Sequence, residues 1–498
     1  MARVACLFSV EYYSTIERPL DGWDKIPYGF SLITACLEHA GHTVRCWVVT
    51  PDTPLTRVAR EIVEDFGCEM ATASCVSTQF HLIARLCKEI KSLKPSIPIL
   101  LGGVHATVRA DECIAHPDID AVCVGEGEDV AVAWANSLAR GVQPSGIPGT
   151  WIKIPGLTDV DRTPPAAFRT DLDELPLIEY AHWERWVDPG ARNARVVVGR
   201  GCPYSCTYCS NHVLRGMQVG RYVRFRSPEN ILAEIEMILR RFPDQQSIYL
   251  EIETISASIP WALQLCDHLA AFNATRERPI AFRANFAVTT QLVQNENRLH
   301  AMLAAFRRAN IVTLNVGLES GSPRIRRDIL NRPPYTNADL IRFCQCARQT
   351  GIEIGLFMLV GVPTETPRDA VETSEVARAC EPEEIDPSIF YPYPGTRLYN
   401  LSAEMHLINP RDFGVTAERS RAYLRLKDFP RWRIIFEHVV MRWRVFHGRR
   451  KLIGLLCVTA WTALKTMPGL LIGVLRVRDG LHLRRSQQPT APAIPPVA

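Results

Sequence analysis

Three thiols stand close together in Gly201-Cys202-Pro203-Tyr204-Ser205-Cys206-Thr207-Tyr208-Cys209. Spacings of four and three let one short loop present all three to a common centre. Soft thiolates favour an iron–sulfur cluster or zinc over hard cations. Zinc takes a fourth ligand, for which Asn211-His212 is the nearby candidate. The chain holds 16 cysteines, the others scattered, so a chance group of structural thiols is a third reading. A cubane held by only three cysteines keeps one iron free for a substrate or cofactor.

The elements that must position this loop read as α/β throughout. Residues 1–145 alternate strands at 4–9, 43–49, 70–75, 97–101 and 120–124 with helices at 29–39, 55–66, 80–91 and 129–138. That order predicts a doubly wound, flavodoxin-like parallel sheet. Ligands of such sheets sit beyond the carboxyl ends of the strands. The proline-rich stretch 146–190 reads as a linker. Alternation resumes with strands at 195–198, 247–252, 280–286, 311–316, 353–360 and 386–390. Six strands with intervening helices over 191–405 predict a partial (βα)6 barrel, with function at the carboxyl ends of its strands.

From 406 to 480 the pattern turns helical, basic and aromatic. Arg431, Arg433, Arg442, Arg444, Arg449, Arg450 and Lys451 interleave with Trp432, Phe436, Trp443 and Phe446, and an uncharged apolar run follows over Leu452–Leu464. That run is too short to span a bilayer. The region reads either as a helical cap over the barrel mouth or as a segment lying in a membrane interface. Residues 481–498 read as a disordered tail.

The 498 residues carry 57 basic and 53 acidic side chains, a balance that gives no argument for nucleic-acid binding. With no cationic n-region before the first strand, the expected compartment is the cytoplasm, where thiols stay reduced. Cysteines clustered under those conditions point to a metal centre rather than a disulfide framework.

CxxxCxxC directly after the first strand of a partial barrel resembles the radical SAM superfamily. Further segments follow in that family's order. Tyr249-Leu250-Glu251-Ile252-Glu253 and Arg283-Ala284-Asn285 occupy the second- and third-strand positions. Asn315-Val316-Gly317-Leu318-Glu319-Ser320-Gly321-Ser322 resembles the fourth-strand segment. Val360-Gly361-Val362-Pro363-Thr364-Glu365-Thr366 and Tyr391-Pro392-Tyr393-Pro394-Gly395-Thr396 resemble the GxPxET and PxPGT segments. The resemblance implies that Cys202, Cys206 and Cys209 ligate a 4Fe-4S cluster whose open iron chelates S-adenosyl-L-methionine. It also implies contacts to that cofactor from Glu251, Arg283, Gly317 and Glu319, with a reductant such as flavodoxin or ferredoxin supplying the electron.

Residues 1–140 resemble the cobalamin-binding domain found in one branch of the same superfamily. Carrying this resemblance are Ser74-Cys75-Val76-Ser77, Leu101-Gly102-Gly103-Val104-His105 and Val124-Gly125-Glu126-Gly127-Glu128. The hydroxyls of Ser74 and Ser77 would meet the nucleotide tail, and Gly102-Gly103 would let a planar ligand lie against backbone. Gly125, Glu126 and Gly127 would form a second contact loop. The D-x-H-x-x-G string of histidine-ligated cobalamin domains is absent, so His105 is expected to order its loop rather than bind cobalt.

The branch implies methylation of an unactivated carbon in a small-molecule or lipid-like intermediate. Its alternative is oxidative ring closure of the anaerobic magnesium-protoporphyrin ester cyclase type. A cofactor-binding sensor without catalysis is a third reading, weakened by the lack of an output motif. A tRNA methylthiotransferase is disfavoured, since neither a second cysteine triplet nor an RNA-binding barrel is visible.

Overall fold

The computed structural model describes residues 1–466 apart from 12, 14, 155, 157, 158 and 410–418. The expected tail at 481–498 lies outside these residues. At the amino end β1 (Arg3–Ser9), β2 (Thr43–Val49), β3 (Met70–Ser74), β4 (Ile99–Gly102) and β5 (Ala121–Cys123) run parallel in the order 2-1-3-4-5. Helices over Tyr28–His39, Phe80–Leu93 and Glu128–Ala139 cover the sheet. Burial on both faces explains the nearly unbroken apolar strand sequences; Val4, Ala5, Cys6 and Leu7 are all fully buried. The helix expected over 55–66 is α-helical only at Leu55–Arg60 and widens into a π-turn at Glu61–Asp65.

The stretch 146–190 is more than a linker. It adds β6 (Thr150–Lys153) and β7 (Val160–Arg162), both antiparallel, to the far edge of the first sheet. Its Leu172, Ile178, Tyr180, Trp183 and Trp186 are buried. Prolines shape the turns here, but the large apolar side chains between them have to be taken out of water. They therefore fasten the segment to its neighbours. Trp186 Nε1 donates to the Cys46 carbonyl at 3.2 Å, and its own carbonyl accepts from Leu20 N at 3.0 Å.

The second domain opens with β8 (Asn193–Val197), then β9 (Gly199–Arg200), which pairs antiparallel with β10 (Arg224–Phe225). The main sheet continues through β11 (Ser247–Glu251), β12 (Ala281–Phe286), β13 (Ile311–Glu319), β14 (Glu353–Val360) and β15 (Glu384–Ile389). It is six-stranded, parallel, and ordered 8-11-12-13-14-15, the partial barrel that the strand pattern predicts. Its outer helices start on clear signals. Pro228 and Pro367 sit in first turns, and Thr336/Asp339 and Thr366/Asp369 form capping boxes.

Helix Arg431–Phe446 packs on helix Pro367–Cys380 and on β15. It thus takes the outer position of the sixth strand, not that of a cap over the mouth. Ile434, Met441 and Val445 supply its buried stripe.

The two domains are locked through a buried polar cluster. Glu234 is fully buried and pairs with Arg226, which also donates to the Tyr28 hydroxyl at 2.9 Å. The hydroxyls of Tyr28 and Tyr180 donate to Glu234 at 2.9 and 3.3 Å. Burial and the neighbouring carboxylate push both tyrosines well above their usual range, so they remain donors. Removing one partner of a buried ion pair strands the other charge. Glu234→Ala should lower unfolding stability by about 3–5 kcal/mol, read from the urea midpoint, while Tyr180→Phe should cost far less.

Candidate active site

The cysteine loop leaves the barrel just after β9, and every side of its backbone is tied to distant chain. Arg215 Nη2 donates to the carbonyls of Cys202 at 3.2 Å and Tyr204 at 2.5 Å. Asn331 Nδ2 reaches the Ser205 carbonyl at 2.9 Å. Thr207 N donates to the Leu330 carbonyl at 3.0 Å, and Leu398 N donates to the carbonyl of Thr207 at 2.9 Å. With its backbone satisfied elsewhere, the loop turns its sulfurs inward. Cys206 is buried, and Cys202 and Cys209 are half-buried.

Burial pushes the Cys202 thiol up to about 12 and raises Cys209 as well. Such thiols ionise only if a metal compensates for lost water. Among the described residues no group of three His, Cys, Asp or Glu side chains could hold a single metal ion. A cubane asks for something else, one thiolate on each of three irons. His212, the candidate fourth zinc ligand, instead accepts the Arg397 N–H through Nε2 at 3.3 Å.

Behind the sulfurs lies a group that local sequence does not reveal. Arg332 is mostly buried, its side chain 10% exposed, with Nη1 3.6 Å from Cys206 Sγ and 3.0 Å from the Tyr208 hydroxyl. Its Nη2 donates to the Gly317 carbonyl at 2.7 Å. Tyr208 in turn donates to Glu319 Oε1 at 2.9 Å. Glu319 sits at φ 57°, where β13 slips register against β14. Burial raises its carboxyl, with Arg332 and Tyr208 opposing. A Cβ on Gly317 would fall 2.6 Å from both the Arg332 guanidinium and the Glu319 carboxylate. The close approach that this glycine permits is therefore made by the chain's own charges. Arg332 Nε is buried without a partner. An orphan N–H beside the sulfurs is the donor that an oxygen-bearing ligand of the cluster would satisfy.

A cavity of about 500 Å³ separates the two domains at the carboxyl ends of β1, β3, β4 and β5, within the usual size of cofactor pockets. Ser74, Gly102, Gly103, Gly125, Glu126 and Gly127 line it from one side, and Val197, Arg200, Glu251 and Glu253 from the barrel. Gly102 faces it with nothing nearer to a Cβ than 3.6 Å. A flat ligand could lie against this strand end. Gly103 has a different reason to be glycine: φ is 93°, and a Cβ would meet the Cys75 carbonyl at 2.7 Å.

Ser77, His105 and Arg283 fall elsewhere. Ser77 and His105 do not line the cavity; His105 Nδ1 lies 3.1 Å from Ser77 Oγ, and its ring packs on Phe80. Burial lowers His105 to about 4, so it is a neutral ring that orders its loop. Arg283 pairs with Glu384 at 3.5 Å, toward the amino ends of the strands and away from the cysteine loop. Glu251 stands at the carboxyl end of β11, 3.4 Å from Arg195 Nε.

Glu126 has a structural duty that its motif does not announce. It takes two hydrogen bonds from Arg224, at 2.7 and 3.0 Å, and one from Arg200 at 2.9 Å. Burial opposes its charge, but these two arginines hold the carboxyl down to about 2. Arg200 also reaches Glu128 at 2.5 Å. The contact loop of the first domain is thereby clamped to β9 and β10, the strands flanking the cysteine loop.

A barrel with a three-cysteine loop after its first strand, facing a flavodoxin-like domain across a cavity, defines a two-cofactor radical enzyme. Comparison with known families agrees. The Radical SAM superfamily model matches residues 196–377, and the B12 binding domain model matches residues 22–135. The chain belongs to the cobalamin-binding branch of the radical SAM superfamily, whose cofactors are a 4Fe-4S cluster, S-adenosylmethionine and cobalamin. It is 24% identical to an uncharacterized methyltransferase of Pyrococcus horikoshii, over 70% of this chain and 72% of that one. It is also 24% identical to an anaerobic magnesium-protoporphyrin IX monomethyl ester cyclase of Rubrivivax gelatinosus, over 75% of this chain and 65% of that one. The radical S-adenosylmethionine methyltransferase TsrM of Kitasatospora setae, solved with cobalamin and a 4Fe-4S cluster, shares the fold. Its TM-score is 0.62 at 17% identity, over 81% of this chain and 75% of that one.

Replacing Cys202, Cys206 or Cys209 by alanine should abolish iron retention after anaerobic reconstitution, with bound cobalamin unchanged. Glu126 supplies a pH signature. A carboxyl depressed in the fold stabilises above its unfolded value near 4.5 and loses that contribution as pH falls toward 2. Glu126→Gln should flatten the decline in stability over that window, measured by denaturant unfolding at stepped pH.

Proposed function

We propose that the protein is a C-methyltransferase acting on an unactivated carbon of a small-molecule or lipid-like intermediate, driven by a reductant such as flavodoxin or ferredoxin. The observation that carries this reading is the shared cavity, in which the glycine-edged sheet ends face the barrel wall that leads into the cysteine loop. Bound there, the cluster with S-adenosylmethionine would supply radical chemistry and the corrin a transferable methyl group.

The chain's own residues do the placing. Cys202, Cys206 and Cys209 would hold the cluster, and Arg332 with Glu319 would orient the cofactor beside it. Gly102 and Gly103 would seat the corrin against β4. The paired Glu126, Arg200 and Arg224 fix the distance between the two seats, the kind of preorganisation on which a bimolecular transfer depends.

Reaction of the reduced, reconstituted enzyme with methyl-labelled S-adenosylmethionine tests the reading. Label recovered on carbon in the product is expected. A ring-closed, unlabelled product would sink it in favour of cyclase chemistry. In the same assay Gly102→Leu should cut cobalamin retention and methyl transfer together while leaving iron content intact.

A further inference from the structure

We infer that the carboxy-terminal helical hairpin docks the enzyme on the surface of an anionic membrane. Charge is strongly segregated along this chain. Residues 431–498 hold twelve basic and two acidic side chains, which leaves the first 430 with 45 basic and 51 acidic. The helix Arg431–Phe446 uses one stripe to pack on the barrel and turns Trp432 and Phe436 to solvent. Helix Leu452–Lys465 lies on it and buries only Leu455 and Thr462. Its outer face is apolar and open, with Leu452 61%, Ile453 77% and Leu456 52% exposed. Fifteen large apolar side chains are exposed among the described residues, and seven of them lie between Trp432 and Trp461.

The occupant of this face follows from its chemistry. Leu452–Lys465 has fourteen residues, about 21 Å of helix, too short for a hydrocarbon core of about 30 Å. No described helix is long and apolar enough to cross a membrane. A helix uncharged from Leu452 to Leu464 and entered through Arg449-Arg450-Lys451 suits the boundary instead, with its apolar side chains in the acyl layer. Arg449 and Arg450 each give one N–H to a barrel carbonyl, of Glu381 and Glu383, and keep further guanidinium donors for lipid phosphates. A second copy of the chain would bring like charges together. A nucleic acid would leave the exposed leucine and isoleucine without partners.

Sedimentation of the full chain with phosphatidylcholine vesicles, with and without about one third phosphatidylglycerol, tests the proposal without depending on activity. Binding to the anionic vesicles, weakened by salt, is expected. Joint replacement Arg449→Gln, Arg450→Gln and Lys451→Gln should weaken it on the order of a hundredfold. The pair Ile453→Ser and Leu456→Ser should also reduce binding, with the thermal midpoint unchanged because neither side chain is packed. Three results would overturn the proposal: no binding to either vesicle, equal binding to both, or a solution dimer that the serine pair dissociates.

Discussion

A loop that offers three sulfurs to one inorganic centre cannot also satisfy its own backbone. That constraint organises the barrel around it. Thirteen residues downstream of Cys202, the Arg215 side chain returns to cap the loop's carbonyls. The segment after β13 supplies Asn331, the carbonyl of Leu330 and the guanidinium of Arg332. Leu398, from beyond β15, closes the last side. Elements separated by more than a hundred residues must be folded before the sulfurs are fixed. The site is therefore a product of the whole barrel, and burial of its thiols is tolerated as thiolate only when a metal displaces their protons to solvent.

The same logic extends between domains. The two sheets that face each other across the cavity would wander if the joint were a flexible linker. Here 146–190 is packed rather than loose, and two polar clusters bridge the join. Glu126 with Arg200 and Arg224 clamps the cavity rim. Glu234 with Arg226, Tyr28 and Tyr180 clamps the back. Buried charges of this kind seldom add much net stability; what they do well is exclude other arrangements, because a shifted interface would strand an arginine out of water.

Much of this was legible from sequence, for identifiable reasons. The five parallel strands of the first domain show as apolar runs because burial on both faces demands it, and the barrel strands show through the apolar residues that alternate toward their outer helices, as Phe282, Ala284 and Phe286 do in β12. The cysteine triplet was legible because one loop carries all of its chemistry. The strands at 150–153 and 160–162 were not, since antiparallel edge strands this short leave no period to read. Nor was Arg332, which meets Cys206 across 126 positions and belongs to no local pattern. Glu126 carries a second duty that its motif does not announce: besides lining the cavity, it is anchored by its partners on β9 and β10 between the domains. His105 shows the converse, a buried residue whose ring contacts Ser77 and Phe80 rather than the cavity.

The barrel lumen illustrates how position converts weak sequence signals into one surface. Register places Tyr249, Arg283, Thr313 and Glu353 side by side on neighbouring strands, and Asn285, Asn315, Gly355 and Glu384 along the next row. Because side chains alternate faces along a strand, these polar residues all point inward while Phe282, Ala284, Leu314 and Ile354 point to the outer helices. Tyr249 then donates to Asn285 at 2.5 Å and accepts from Asn315 at 3.2 Å, a ladder across three strands. Each residue alone is an unremarkable interruption of an apolar run. Together they give the barrel a polar interior beneath a mouth whose cavity is lined mainly by glycine and apolar side chains, so hydrogen-bonding capacity and apolar shelter are divided between the two halves of the molecule.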